Sequence, residues 1–303
     1  MNKSKKILLF GNERIATSVE TKAPIFRYLM QNYNVVGLVV SEKKNMDSLE
    51  VVKLAKENNI EVYNFTKLKD SIEDIRKLEA DIAVLIAYGK IIPQSIIDIF
   101  PMGILNIHPS LLPMHRGPTP LESVILGNET KTGVSLMHLS SGMDSGPVYA
   151  QKTINLNQKE TKQELANILD ELGYSIFKED FEDILSGKIT PVEQKDELAT
   201  YDQLINKTNS NIDWKKSSLQ IINKIRAYEG WPGTKTILGK LNVNIVSADI
   251  SDHKGNPGEF LIENGRLYIY TLDSSLEIKT IQPEGRKIMT ARDFLLGYSN
   301  KIN

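Results

Sequence analysis

Three polar side chains in this sequence have the types and spacing for transfer of an acyl or formyl group: Asn106, His108 and Asp144. Asn106 and His108 sit two apart at the end of an apolar run, Gly103-Ile104-Leu105. Residues two apart on a strand point to the same side, so a carboxamide and an imidazole would project together from one strand end. Pro109-Ser110-Leu111-Leu112-Pro113 then stops the strand and turns the chain. The amide can donate to a developing oxyanion, the imidazole can donate or move a proton, and the carboxylate can orient the imidazole. An Asn-x-His at a strand end also suits an ordinary turn, so the flanking residues must decide.

The elements that would position these groups are legible along the first half of the chain. Lys6 to Phe10 is a short apolar run ending at Gly11 and reads as a buried strand. A helical pattern follows through Ala23–Tyr33, then a second buried strand at Val35–Val40. A helical stretch around Leu49–Lys56 precedes Glu61-Val62-Tyr63, and Asp81–Ala87 is a strongly apolar strand. Ile104-Leu105-Asn106 is the next strand, and Thr132–His138 and Pro147–Gln151 extend the sheet. Strands alternating with helices predict a parallel sheet with helices on both faces, a doubly wound, Rossmann-like α/β domain. Glu160 to Ser186 reads as a long amphipathic helix, with Leu165, Ile168, Leu169, Leu172 and Ile176 at helical spacing. In such sheets the site lies at the carboxyl ends of the strands, where Asn106 and His108 fall.

The turn after the first strand, Gly11-Asn12-Glu13-Arg14-Ile15-Ala16, lacks Gly-x-Gly-x-x-Gly, and no Gly-x-x-x-x-Gly-Lys-Ser/Thr loop exists. Dinucleotide binding and nucleotide phosphoryl transfer are therefore not expected. Beyond the long helix the pattern changes. Residues 187–206 are polar and irregular and read as a linker between a catalytic domain, 1–186, and a C-terminal domain, 207–303. There a helix (Ser217–Tyr228) precedes five short strands, with Gly239-Lys240 and Asn264-Gly265 as turn signals, which predicts a small β-barrel.

At 303 residues, 41% hydrophobic and 25% charged, the composition is that of a globular protein of one large or two ordinary domains. Zero cysteines exclude disulfides, thiolate nucleophiles and cysteine-bound zinc. The four histidines (His108, His115, His138, His253) form no His-x-x-x-His pair, so no metal is expected. The basic and then apolar N-terminus reaches Gly11 after only four apolar residues, too short for a signal peptide, and no run approaches a membrane span. A cytoplasmic, bacterial-type location is expected. The net charge of −1 hides an asymmetry: from Lys207 onward there are 14 Lys and Arg against 10 Asp and Glu, while the first 206 residues carry an acidic excess. That balance hints at a polyanionic partner for the C-terminal third, though an accidental split gives the same count.

The flanking residues carry a resemblance. Asn106-Ile107-His108-Pro109-Ser110-Leu111-Leu112-Pro113, with Asp144 in Gly142-Met143-Asp144-Ser145-Gly146-Pro147, resembles the signature of the formyltransferases that use 10-formyltetrahydrofolate. Arg116-Gly117-Pro118-Thr119-Pro120 is similar to a motif of the branches that formylate methionyl-tRNA or sugar nucleotides. Asn211-Ile212-Asp213-Trp214, Ile225–Gly233, and Leu276 with Gln282–Lys287 resemble motifs of the methionyl-tRNA branch, whose C-terminal domain is OB-fold-like. Trp214 and Trp231 equally suit anchors of a domain core, and Arg226 a packed helix residue.

The resemblance implies specific roles. Asn106, His108 and Asp144 become the catalytic group. Ala87-Tyr88-Gly89-Lys90-Ile91-Ile92-Pro93 resembles the loop whose backbone contacts the pteridine of the folate, which gives Tyr88, Gly89, Ile91 and Pro93 to that formyl donor. The same residues would also make a plain strand-to-helix turn. Ser110, Leu111, Leu112 and Pro113 are assigned to the folate cleft, and Arg116 to the acceptor. The family's basic loop after the second strand is shorter here, with only Lys43 and Lys44 to meet a tRNA acceptor stem. The methionyl initiator tRNA is then expected to lean on Arg286 and Lys287 of the C-terminal domain. A monomer with no DNA or membrane partner is expected. Formylation of a sugar nucleotide or other small amine stays open, as do a folate deformylase and a non-enzymatic RNA- or folate-binding protein. The intact Asn106, His108 and Asp144 count against a dead enzyme.

Overall fold

The computed structural model describes residues 4–41 and 46–302. Within them the chain forms two compact units. The first comprises residues up to Leu121, Lys131–Leu156 and Glu164–Leu204. The second comprises Glu122–Thr130, Asn157–Gln163 and the chain from Ile205 onward.

Along the first 185 residues the elements are β1 (Lys6–Gly11), α1 (Pro24–Asn32), β2 (Asn34–Val39), α2 (Glu50–Glu57) and β3 (Val62–Tyr63). There follow α3 (Ile72–Arg76), β4 (Ile82–Ile86), α4 (Gln94–Ile97) and β5 (Ile104–His108). Then come α5 (Pro120–Leu126), β6 (Lys131–His138), β7 (Val148–Asn155) and α6 (Lys162–Leu185). Seven strands form one sheet in the order β3-β2-β1-β4-β5-β6-β7. The five strands from β3 to β5 are parallel, but β6 runs antiparallel to β5, and β7 to β6. The sheet is thus mixed rather than wholly parallel. Its reversed edge starts where β6 returns beside β5, and the 139–147 turn is short enough only for an antiparallel neighbour.

Burial explains the strand sequences. Every residue of β4 and β5 is buried, and so are Ile7 to Gly11 of β1, so these strands are continuous apolar runs covered on both faces. On one face Leu8, Phe10, Ala83, Leu85 and Ile104 pack with Tyr88, Ile96, Ile97 and Phe100. Phe10 meets the Tyr88 and Phe100 rings edge-on, with centroids 5.5 and 6.2 Å apart. The edge strand β7 instead alternates exposed and half-buried positions beyond Ala150, as a one-sided strand must.

Gly11 shows why the turn after β1 departs from a dinucleotide loop. A Cβ there would stand 1.9 Å from the Ile86 carbonyl oxygen at the end of β4, and its φ is +112°. Only glycine allows that approach. The turn then delivers Glu13 into the interior. Its two carboxyl oxygens accept from the backbone N–H groups of Ile25 (2.7 Å) and Phe26 (2.8 Å), satisfying the first turn of α1.

The second unit holds α7 (Ser218–Ala227), β8 (Lys235–Leu238), β9 (Leu241–Ser251), β10 (Phe260–Glu263), β11 (Arg266–Tyr270), β12 (Ser275–Pro283), β13 (Met289–Thr290) and α8 (Ala291–Ile302). The strands run antiparallel in the order β10-β11-β12-β9-β8, with β13 also on β12, and curl as a half-barrel. Ile221, Ile225, Val243, Ile245, Leu267, Ile269, Leu276, Ile278, Ile281 and Phe294 fill its core. Ser217 and Gln220 form a reciprocal capping box at the start of α7. Asn264 and Gly265 both have positive φ (51° and 72°), the conformation of a two-residue hairpin turn, as the Asn-Gly pair predicts. Trp214 donates through Nε1 to Thr236 and packs against the core, and Arg226 bonds Glu160 and Asn223 inside the unit. Both therefore sit in their structural readings. Lys162, buried beside Glu122 at 3.6 Å and donating to the Trp231 carbonyl, ties two short stretches of earlier sequence to this unit.

Candidate active site

The geometry starts from the carboxyl end of β5. Asn106 lies opposite Met137 and His108 opposite Ser135 on β6, so their side chains leave the same face, as two-residue spacing requires. Both are about 5% exposed. The Asn106 carboxamide has no hydrogen-bond partner among the described residues, which leaves its donors for a ligand.

After His108 the chain turns at Pro109, and the next residues are pinned from β6 and β7. Ser135 Oγ donates to the Ser110 carbonyl (2.6 Å) and accepts from Leu112 N–H (3.1 Å). Gln151 Nε2 donates to the Leu112 carbonyl at 2.8 Å. Ser110 is fully buried, and its hydroxyl donates to the Met114 carbonyl at 2.7 Å. Ser110 and Leu112 thus shape the turn from within, while Leu111 and Pro113 are partly exposed.

His108 is held through Nε2 and faces a carboxylate at Nδ1. Nε2 lies 2.8 Å from the His115 carbonyl oxygen, and Nδ1 lies 3.8 Å from Asp144 Oδ2. The same Asp144 oxygen accepts from the Gly117 N–H at 2.8 Å. Residues 115–117 therefore contact both the imidazole and the carboxylate. Asp144 has φ +46°, a conformation a non-glycine residue keeps only when its surroundings fix it. Gln194 supplies that constraint: its Nε2 donates to the carbonyls of Asp144 (2.8 Å) and Gly146 (2.7 Å).

Arg116 is turned away from this centre. Its side chain is 1% exposed, and its guanidinium donates to Gln194 Oε1 (3.1 and 2.9 Å), Tyr201 OH (2.9 Å) and Asp196 (2.7 Å). Instead of facing an acceptor it clamps residues 194–201, a segment whose sequence suggests a free linker. That segment is anchored further: Val192 bridges Val148, and Arg116 bridges Tyr201. The sequence gives little sign of Gln194, Thr200, Tyr201 and Asp202 as parts of the site, because a polar, aperiodic stretch carries no element signal. His115 is equally silent there, being one isolated histidine in a turn.

The loop after β4 lies at the same sheet end. Tyr88 is buried in the core, Gly89 has φ +74° with open space where a Cβ would be, Ile91 is 86% exposed, and Pro93 precedes α4. The loop therefore presents backbone and one apolar side chain outward, which fits a flat, partly apolar ligand. Arg286 and Lys287 are exposed in the turn between β12 and β13. Lys43 and Lys44 lie outside the described residues. Among the described residues no group of three His, Cys, Asp or Glu side chains is placed to hold a metal ion, and no helix is long and apolar enough to cross a membrane.

A pair of acidic groups lies behind β5. Glu13, Asp170, Ile107 and Pro109 help line a small internal space of about 10 Å³, room for one water at most. Burial pushes the Glu13 carboxyl from its ordinary 4.5 up to about 8, against the two backbone donors that favour its charged form. Burial likewise pushes Asp170 up to about 7.

Comparison with known proteins identifies the family. The Formyl transferase family matches residues 17–180, and the Formyl transferase C-terminal domain matches residues 204–299. A methionyl-tRNA formyltransferase of Thermodesulfovibrio yellowstonii is 31% identical over 309 residues, covering 99% of this chain and 97% of that protein. One from Carboxydothermus hydrogenoformans is 34% identical over 279 residues, covering 88% of this chain and 90% of that protein. Among solved structures, an N-formyltransferase from Helicobacter canadensis in complex with folinic acid and dTDP-3-aminofucose shares the fold with a TM-score of 0.70 at 21% identity, covering 92% of this chain and 99% of that one. With both of its units matched and relatives aligned end to end, the chain belongs to the formyl transferase family.

Proposed function

We propose that this protein transfers the formyl group of 10-formyltetrahydrofolate to the α-amino group of methionyl initiator tRNA, the modification that prepares that tRNA for translation initiation. The observation that carries the reading is the convergence of Asn106, His108 and Asp144 at the end of β5, in a chain whose relatives of similar length are methionyl-tRNA formyltransferases.

The chemistry follows from the groups present. The amine nitrogen attacks the formyl carbon, and a new C–N bond forms. The carbon's bond to the donor nitrogen then breaks; the amine loses a proton and the donor nitrogen gains one. Negative charge develops on the formyl oxygen in between. Asn106 donates from its amide to that oxygen, from a strand too buried to shift. Losing one such donor typically costs about 10²–10³ in turnover. His108 lies beside it, with Asp144 at 3.8 Å favouring an imidazolium once a proton arrives. The 88–93 loop, with Gly89 open and Ile91 outward, supports the flat ring of the folate by backbone and apolar contact.

Two sets of basic residues meet the acceptor in this reading: Lys43 and Lys44, which follow β2 in the sequence, and Arg286 and Lys287 beyond β12. With only two lysines in the first, the second unit carries more of the phosphate contact. The protein acts as a monomer in this account. The test is transfer of labelled formyl from 10-formyltetrahydrofolate to methionyl-tRNA, with an amino-sugar nucleotide as rival acceptor. Faster transfer to the tRNA is expected. Transfer to the sugar alone would replace this reading with the small-amine one.

A further inference from the structure

His115 and Asp202 are the members of this site that the chemistry above leaves unused. His108 Nε2 stands 2.8 Å from the His115 carbonyl. A carbonyl oxygen only accepts, so Nε2 carries the hydrogen, and in the neutral ring Nδ1 carries the lone pair. That lone pair faces the Asp144 side, where Oδ2 lies at 3.8 Å.

The carbonyl that sets this arrangement is itself held in place. His115 has φ +58°, which a histidine keeps only under constraint. Its N–H donates to Thr200 Oγ1 at 2.8 Å, and its ring Nδ1 lies 3.1 Å from Asp202 Oδ1. On either side the backbones of the two segments bond each other: Arg116 N–H to the Thr200 carbonyl at 2.9 Å, and Asp202 N–H to the Arg116 carbonyl at 2.8 Å. The Asp202 side chain is only 7% exposed, and its Oδ2 has no partner among the described residues. A buried carboxyl with one polar side-chain partner is costly to keep, and its one such partner here is the His115 ring.

We propose that His115 and Asp202 are a positioning pair that fixes the tautomer of His108, and that Nδ1 of His108 is therefore the atom that takes the amine proton. The inference rests on the formyl-transfer reading above. In the step, the N–H bond of the attacking amine breaks and its electron pair stays on nitrogen, which keeps its new bond to the formyl carbon. The proton moves to His108 Nδ1, while the other ring hydrogen stays on Nε2, donated to the His115 carbonyl. The imidazolium formed lies against Asp144. It gives the Nδ1 proton to the departing donor nitrogen as the old C–N bond breaks, and the ring returns to its starting form.

The test pairs kinetics with nitrogen NMR on histidine-labelled protein, at a pH where His108 is neutral. The wild type should show the Nε2–H tautomer. Asp202→Leu removes an anchor of the ring; it should give a mixture of tautomers and lower kcat by roughly 10- to 100-fold, with both KM values within about twofold. Asp202→Asn keeps an oxygen that accepts from Nδ1–H, and should restore both readouts. If Asp202→Leu does not fold, His115→Asn carries the same test, since asparagine tolerates positive φ and lacks the ring. An Nδ1–H tautomer in the wild type, or a folded variant with unchanged tautomer and kcat, would overturn the proposal. The tautomer is read without any acceptor. A wild type with the Nε2–H tautomer that cannot formylate methionyl-tRNA would overturn the proposed function and leave the positioning pair standing.

Discussion

One oxygen of Asp144 serves two partners: Oδ2 accepts the Gly117 N–H at 2.8 Å and faces His108 Nδ1 at 3.8 Å. The carboxylate is thus fixed to the loop that follows the histidine's own strand. The distance to Nδ1 is too long for a hydrogen bond but short for a charge pair. Asp144 in this arrangement stabilises a proton on the imidazole without holding the ring in place. Orientation comes from the His115 carbonyl on the other side.

That division of labour predicts different effects for two changes. Asp144→Asn keeps an oxygen for Gly117 but removes the charge. Turnover should fall by about 10² or more while the circular dichroism melting profile is retained. Asn106→Ala and His108→Ala should each cost a similar factor. Near-normal turnover in folded Asp144→Asn would remove its charge from the mechanism.

The clamp around Arg116 predicts a loss of stability rather than of binding alone. Arg116→Ala would leave Gln194 and Tyr201 without their buried donor and free residues 194–201. Chemical denaturation should show a loss of about 2–4 kcal/mol. Gln194→Ala frees the Asp144 and Gly146 carbonyls and should reduce kcat more than it reduces stability. If Arg116→Ala instead raises only the KM for the acceptor, the side chain faces substrate after all.

Much of this was legible in the sequence, and the part that was not has a physical cause. The apolar runs of β1, β4 and β5 are covered on both faces, and such runs are hard to read otherwise. The pair Asn106 and His108 follows from the two-residue period of a strand, and their proximity to Asp144 from the family motif. The reversal of β6 and β7 left no trace in the burial pattern, because strand direction is set by the connections; only the short 139–147 turn points to it. α8 was missed because Phe294, Leu295 and Ile302 leave too sparse a stripe. The role of residues 192–202 was hidden because individual side-chain and backbone hydrogen bonds hold them, several reaching about 50 to 85 positions along the chain, which no local pattern encodes.

The buried acids behind β5 predict a pH dependence of stability. Glu13 and Asp170 hold protons in the folded state up to about 8 and about 7, against ordinary values of 4.5 and 3.8. Between those limits the unfolded chain has lost protons that the folded chain keeps, so stability falls as pH rises. The thermal midpoint should decline from about pH 5 to pH 8. Asp170→Asn should flatten the decline, since its amide still offers Thr21 an oxygen. A midpoint that rises over this window would mean that both groups are charged in the fold.

If tRNA is the acceptor, basic side chains must displace counterions from its phosphates, and affinity falls as salt rises. Arg286 and Lys287 are exposed and close to each other in sequence. Replacing both by Glu should raise the apparent KM for methionyl-tRNA several-fold, weaken its salt dependence, and leave the KM for the formyl donor unchanged. An unaltered salt dependence would move the phosphate contacts elsewhere.

The most direct test of the central claim is single-turnover transfer of labelled formyl from saturating 10-formyltetrahydrofolate to methionyl-tRNA, by the wild type and by His108→Ala. The account predicts formylmethionyl-tRNA from the wild type and a rate lower by about 10² or more from the folded variant. Equal rates from the two, or no formylated tRNA from the wild type while a small amine is formylated readily, would contradict it.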